Sequence, residues 1–149
     1  MQNLFQSDVS DKMLHRIDNL QLTSHPLWGK MNVAKMLAHC NVTFEVALGD
    51  KQLKRTLMGV LFGGIGKRQI LKPEPFKKNL PTDPNFIIKH DPDFNKEKRQ
   101  LESLVQRFAA ADPNVIADRS HPFFGKMTGE EWGWLQYKHL DHHLRQFGV

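Results

Sequence analysis

Apolar residues recur at intervals of three and four along four stretches of the chain, and this spacing is typical of amphipathic α-helices. No stretch shows the sustained alternation of apolar and polar residues that marks a half-buried β-strand. The pattern therefore predicts an all-α protein with four main helices. These helices are expected over about residues 10–22, 32–48, 93–112 and 128–147.

Residues suited to capping stand at the ends of the predicted helices. Thr128 and Glu131 form an S/T-x-x-E capping box, in which each side chain accepts a hydrogen bond from the other residue's backbone N–H. A glycine just after the last apolar position favours a helix end in which that glycine adopts the left-handed conformation. The predicted N-caps are Ser10, Asn32, Asp93 and Thr128, and the predicted stops are Gly49 and Gly148.

A crossover of some forty residues, about 50–92, separates the second and third helices. Residues 51–62 are compatible with a further helix, whereas five prolines between residues 73 and 92 predict an extended second half that wraps over the surface. A long connection lets the two helices that it joins run in the same direction. We therefore expect an up-down-down-up four-helix bundle, formed by residues 1–149 as one domain.

Composition narrows the class of protein. The chain has 149 residues, of which 40% are hydrophobic and 25% charged, as in an ordinary globular domain. The longest apolar stretch, residues 57–66, is too short for a membrane span, which needs about 20 residues. Cys40 is the only cysteine, so no internal disulfide is expected, and the first twelve residues do not resemble a signal peptide. These features predict a cytoplasmic protein without a membrane span.

Positive charge is concentrated in one segment. Residues 51–78 carry eight Lys or Arg against Glu74 alone, a local charge of +7, whereas the whole chain carries +5. With Leu57, Leu61 and Phe62 interspersed, this basic segment is compatible with contact to an anionic lipid, nucleic acid or substrate; the plainer alternative is a solvated face. No docking motif accompanies the charge, so we expect no specific nucleic-acid partner.

An eight-residue pattern occurs twice, at residues 25–32 and 121–128, and each copy ends on a predicted N-cap. Chance reuse of a loop and a pseudo-twofold bundle both remain open as explanations. The two loops and the crossover carry aromatic residues that a core of this size does not obviously bury, which leaves a homodimer as an alternative. The residues concerned are Trp28, Phe62, Phe123 and Phe124.

Two histidines on the last helix have the spacing of a metal-chelating pair. His139 and His143 stand at i and i+4, which places both imidazoles on one helix face with Cβ atoms about 5–6 Å apart. The best third ligand is His39, in the middle of the otherwise apolar second helix, because a facing helix brings its side chains within reach. Cys40 lies about 100° further round that helix and is assigned to the core.

Alternatives to a metal site remain open from spacing alone. An i,i+4 histidine pair also occurs as a hydrogen-bonded core pair or on an exposed polar face. His142 stands at i+3 from His139, and we assign it to the surroundings of the site rather than to the ligands. Gln146 continues the His139–His143 stripe and could line a pocket there. Three histidines with an open position describe a catalytic rather than a structural site, but no general base is evident and the catalytic residues stay unassigned.

The combination of these features resembles the DinB-like superfamily of metalloenzymes. The resemblance rests on His39 in the second helix, on the long crossover and on the terminal run H-x-x-H-H-x-x-Q at residues 139–146. The segment HPFFGKMTGEEWGWLQYKHLDHHLRQFG resembles a branch known mainly as a domain of unknown function. The resemblance implies a four-helix bundle in which His39, His139 and His143 hold a divalent metal ion such as nickel or zinc.

Superfamily members with assigned activities are similar in being thiol-dependent transferases or isomerases that use bacillithiol, mycothiol or glutathione. The resemblance thus implies a metal-dependent transferase or hydrolase with a small-molecule substrate and a low-molecular-weight thiol as co-substrate. A fold and a metal cage do not by themselves define a reaction. The alternative is a non-catalytic helical bundle with a structural or vestigial metal site, in which the basic segment contacts an anionic partner.

Overall fold

The computed structural model describes residues 2–149 and is mostly helical, in agreement with the predicted class. Two strands of two residues each pair antiparallel and were not predicted, because so short a pairing leaves no alternating pattern. A short 3-10 turn, Pro84–Phe86, interrupts the crossover. The helices are α1 (Ser7–Asp18), α2 (Val33–Leu48), α3 (Leu57–Ile70), α4 (Phe94–Ala109), α5 (Pro113–Ala117) and α6 (Gly129–Gln146), and the strands are β1 (Ser120–His121) and β2 (Gly125–Lys126).

Four long helices surround the core. Both α1 and α2 contact both α4 and α6, and the side chains between them are apolar. Trp132, Phe44 and Phe108 are the largest of the fully buried residues, and burial of each such side chain stabilises the fold by roughly 1.5–3 kcal/mol. Among the described helices, none is long and apolar enough to cross a membrane.

Most predicted helix ends are confirmed. The Asn32 side chain accepts a hydrogen bond from the Lys35 N–H, and Gly49 ends α2 with a φ of 82°. The capping box of α6 is complete, since Thr128 Oγ1 accepts from the Glu131 N–H at 3.1 Å and Glu131 Oε2 accepts from the Thr128 N–H at 2.8 Å. These caps fix where α2 and α6 begin, and therefore the positions of their histidines along the helix axes.

Three predicted helix boundaries were wrong. Helix α1 ends at Asp18 rather than near residue 22. Helix α1 begins at Ser7 rather than at Ser10, whose hydroxyl lies inside the helix and donates to the Ser7 carbonyl. The earlier start buries Val9, which extends the apolar stripe by one turn. Helix α4 ends at Ala109, before the predicted end, because the Asp112 side chain caps the separate short helix α5.

The crossover contains helix α3, displaced from the predicted residues 51–62. Thr56 caps it by accepting from the Gly59 N–H at 3.0 Å. Four glycines lower the helix propensity of this segment, but Gly59 and Gly63 allow the helix to lie directly against the backbone of Phe123. Beyond α3 the chain returns without further regular structure until the 3-10 turn, where Phe86 enters the core.

Candidate metal centre

Three histidines from two helices converge inside the protein. His39 lies on α2, and His139 and His143 lie one turn apart on α6. One nitrogen of each ring lies within 4.8 Å of the corresponding nitrogens of the other two. The closest pair is His39 Nε2 and His139 Nε2, which are 3.0 Å apart. The structure thus brings together all three residues that the sequence selected as ligands.

A backbone carbonyl orients the ring of His39. Its Nδ1 lies 2.9 Å from the carbonyl oxygen of Phe86, in the 3-10 turn of the crossover. Because a carbonyl oxygen only accepts, Nδ1 must carry the hydrogen, and Nε2 then presents a lone pair toward His139. This is the tautomer of a metal-ligating histidine, whose other nitrogen usually donates to a carbonyl or carboxylate.

A side-chain amide orients His143 in the same way. His143 Nδ1 lies 2.9 Å from Gln146 Oε1, and Gln146 Nε2 donates to the Trp28 carbonyl oxygen at 2.7 Å. The second bond fixes which end of the amide faces the ring, so His143 Nδ1 donates and its Nε2 keeps a lone pair. Gly29 makes room for this chain of bonds: its φ is 80°, and a Cβ there would lie 2.8 Å from Gln146 Nε2.

His139 completes the cluster. Its Nδ1 is buried without a hydrogen-bond partner among residues 2–149. Its Nε2 points at the lone pair of His39, so an attractive contact there needs a proton or a cation. A cation bound by all three rings would provide that contact.

Burial keeps the cluster uncharged at neutral pH. Removal from water lowers the pKa of His39 and brings the pKa of His143 to about 3. The pKa of His139 lies well below its usual range, first because the ring is buried and then because His143 and His39 are close. Neutral imidazole is the form that binds metal ions, so the donor set fits a divalent cation such as zinc or nickel without first losing protons.

The neighbouring polar residues lie outside the cluster. His142 is half-buried, with its ring against Trp28, Phe76 and His143. Cys40 is buried in the core 3.8 Å from the Met36 sulfur, and burial raises the pKa of its thiol, so it stays protonated. Asp141 forms ion pairs with Arg16 and Arg145 and is not directed at the histidines.

A cavity of about 210 Å³ adjoins His39. Its wall is mostly apolar, and Lys35 is its only Lys or Arg; the lining residues are Met31, Lys35, His39, Thr82, Phe86, Ile87 and Ile88. A larger but shallow depression of about 550 Å³ lies between α1 and Tyr137 and has none of the three histidines in its wall. Of these two cavities, only the smaller one has a histidine of the cluster in its wall.

Two residues that shape the site were not found by sequence reasoning. Phe86 contributes a backbone carbonyl, which leaves no signal in side-chain patterns. His121 lies in the β1–β2 hairpin, stacks on Phe124 and Phe86, and accepts hydrogen bonds at Nδ1 from the Phe123 and Phe124 N–H groups. Its place in the repeated eight-residue pattern was the available signal, since a histidine that starts both copies suggests a local turn.

The fold and the site together define a mostly helical protein with a buried cluster of three histidines that is compatible with a metal site. A family model described as "Protein of unknown function (DUF1569)" matches residues 2–148, and the protein belongs to this family. Comparison with curated proteins and with solved structures gave no match. The expectation of a family of unknown function is confirmed, and membership of the DinB-like superfamily stays a prediction.

Proposed function

We propose that His39, His139 and His143 bind one divalent metal ion and that the protein is a metal-dependent enzyme acting on a small molecule. The observation that carries the proposal is the convergence of three ring nitrogens from two helices within 4.8 Å. Two of the rings are already held, by the Phe86 carbonyl and the Gln146 amide, in the tautomer that a ligand needs. Nickel and zinc both suit three imidazoles.

A site with three protein ligands leaves a position for a further ligand, as in catalytic zinc sites. A bound divalent ion supplies Lewis-acid chemistry, which lowers the pKa of a water or thiol placed on it. The protein's own residues then orient the substrate and determine which substrates fit. Phe86, Ile87 and Ile88 form an apolar part of the cavity wall beside His39, and Lys35 offers a positive charge in the same cavity. Lys35 Nζ lies 3.1 Å from Asp91 Oδ1. Because Asp91 is exposed, this ion pair is weak and a substrate carboxylate can replace it.

This arrangement suits a substrate or co-substrate with an apolar part and a carboxylate. A low-molecular-weight thiol such as glutathione carries the carboxylate, and its thiolate is a good ligand for zinc or nickel. We therefore propose thiol-dependent transfer as the reaction to test first and metal-assisted hydrolysis as the second. We further propose that α1, α2, α4 and α6 form the up-down-down-up bundle of the DinB-like superfamily, supported by the contacts of both α1 and α2 with both α4 and α6.

Elemental analysis of tag-free protein tests the site. Wild type and the exposed-histidine control His90→Ala should each carry about one equivalent of metal, and His139→Ala should carry none. Wild-type protein that is isolated without metal and fails to take up zinc or nickel would overturn the proposal.

Cobalt substitution separates the catalytic from the structural alternative. If the fourth position is open, the visible spectrum of the cobalt protein should change when glutathione or azide is added. A spectrum that neither ligand changes would favour the non-catalytic bundle with a closed structural site. A screen for thiol transfer with the native ion is justified only if the added ligand changes the spectrum.

A further inference from the structure

Helix α3 turns its apolar face away from the protein. Six large apolar side chains on this one helix are between 47% and 75% exposed; they are Leu57, Met58, Val60, Leu61, Phe62 and Ile65. Contiguous exposed apolar patches of this kind mark contact surfaces on proteins. We call these six residues the α3 apolar face.

The packing of α3 fixes this orientation. Its inward side is lined by Gly59 and Gly63, where an added Cβ would overlap the backbone of Pro122 and Phe123. Because the helix lies this close to the β1–β2 hairpin, no large side chain fits between them. The six residues of the α3 apolar face therefore have no buried position on that side of the helix.

Polar contacts hold the second half of the helix in place. Lys67 Nζ lies 2.7 Å from Glu131 Oε2 and donates to the Lys126 carbonyl oxygen at 2.9 Å. Lys138, buried on α6, donates to the carbonyl oxygens of Ile70 and Lys72 at the end of α3. The α3 apolar face is thus presented by a helix that is anchored to the protein body.

Positive charge surrounds the α3 apolar face. Lys51 and Lys54 are exposed before the helix, and Arg68 and Lys72 are exposed at and after its end. Arg68 follows Leu57 and Leu61 at helical spacing and so lies on the same stripe. Glu74 is the only acidic residue of the basic segment, residues 51–78.

We propose that α3 docks the protein on an anionic membrane surface, with the α3 apolar face lying in the interface and the flanking cations among the lipid headgroups. A helix in this position buries apolar side chains about 5–10 Å deep, and nearby Lys and Arg add electrostatic attraction. A second copy of the chain is a poorer occupant of this face, because it would bring two basic segments of local charge +7 together.

Co-sedimentation with lipid vesicles tests the proposal. Wild-type protein should bind vesicles of phosphatidylcholine mixed with phosphatidylglycerol, should bind pure phosphatidylcholine weakly, and should dissociate at high salt. Each removed flanking charge should lower the partition coefficient about fivefold. The charge variant combines Lys51→Gln, Lys54→Gln and Arg68→Gln, and its control combines Lys30→Gln, Lys89→Gln and Arg99→Gln at exposed sites elsewhere.

A second pair of variants tests the apolar contribution. The first combines Leu57→Ser, Leu61→Ser and Ile65→Ser and should lose at least about tenfold in binding; the matched control replaces exposed Leu22, Leu27 and Val115 by Ser. Circular dichroism checks that all variants fold.

Three results would overturn the proposal. The first is wild type without preference for anionic vesicles, and the second is a control variant that loses as much binding as its partner. The third is a wild-type dimer in sedimentation velocity that the Leu57, Leu61 and Ile65 variant converts to a monomer, which would assign the α3 apolar face to a second copy.

Discussion

His39 Nε2 and His139 Nε2 lie 3.0 Å apart, although 100 residues separate the two in sequence. The hydrogen on His39 Nδ1 is committed to the Phe86 carbonyl, so the nitrogen that faces His139 carries a lone pair. Two buried imidazoles in this relationship attract each other only through a shared proton or a shared cation. A neutral His139 with its hydrogen on Nε2 supplies the first, and a metal ion bound by all three rings would supply the second.

Metal binding should stabilise the protein. Zinc at 100 times its Kd should raise the free energy of unfolding by about 2.7 kcal/mol, because only the folded chain brings the three histidines together. For a chain of this length the midpoint of thermal unfolding should rise by roughly 5–10 °C. Differential scanning calorimetry with and without zinc measures the shift. His139→Ala should show none, and a full shift in that variant would mean that the ion binds elsewhere.

Gln146 should matter through His143 rather than by direct ligation. Replacing it by Leu removes the acceptor for the His143 Nδ1 hydrogen and leaves the ring free to turn, so zinc affinity should fall about 10–100-fold. Competition with a chromogenic chelator measures the Kd.

Gln136→Leu provides the comparison for Gln146→Leu. This amide is also buried on α6, but it bonds to Thr43 and lies outside the cluster. Its replacement should lower stability and leave the Kd unchanged. If both variants weakened zinc binding to the same degree, the effect would come from general loosening of α6 and not from the His143 contact.

The sequence predicted the parts of the site that lie on regular helices. His139 and His143 follow from spacing within one well-capped helix, and His39 follows from its place on the stripe of a second helix. Whether they bind metal stays a prediction. The Phe86 carbonyl was not predictable, because the crossover that delivers it has no periodicity and a backbone oxygen carries no residue identity.

Helix α3 shows a different limit of sequence reasoning. The sequence is compatible with a helix over residues 51–62, whereas α3 spans Leu57–Ile70 and six of its large apolar residues are exposed. Both differences come from one tertiary contact, since Gly59 and Gly63 bring the helix axis close to Phe123. Propensity and hydropathy do not encode which neighbour a glycine face will meet.

Stability of the metal-free protein should fall with acid through its buried histidines. Burial lowers the pKa of His121 to about 3, whereas an unfolded histidine has a pKa of about 6.5. Between these values the unfolded chain binds a proton that the folded chain does not. The contribution of His121 to the free energy of unfolding is therefore fully present above pH 6.5. It decreases by about 1.4 kcal/mol per pH unit as the pH falls toward 3.

Urea unfolding in chelator at a series of pH values measures that dependence. His121→Asn keeps an oxygen that can accept from the Phe123 and Phe124 N–H groups but cannot be protonated. Between pH 6.5 and 3 the free energy of unfolding of this variant should change with pH less steeply than that of wild type, by about 1.4 kcal/mol per pH unit. The pH dependence should not vanish, because the low pKa of His143 contributes in the same window. Identical slopes would contradict a neutral, buried His121.

Two adjacent glycines of α3 should respond in opposite directions to alanine. At Gly64 an added Cβ meets nothing within 4 Å, so Gly64→Ala should stabilise the protein by about 0.5–1 kcal/mol through helix propensity. At Gly63 the Cβ would overlap the Phe123 carbonyl oxygen, so Gly63→Ala should destabilise by about 1–3 kcal/mol and loosen α3 from the hairpin. Urea unfolding gives both values, and faster proteolytic cleavage within α3 would report the loosening. Stabilisation by both substitutions would mean that α3 does not pack on the hairpin in solution.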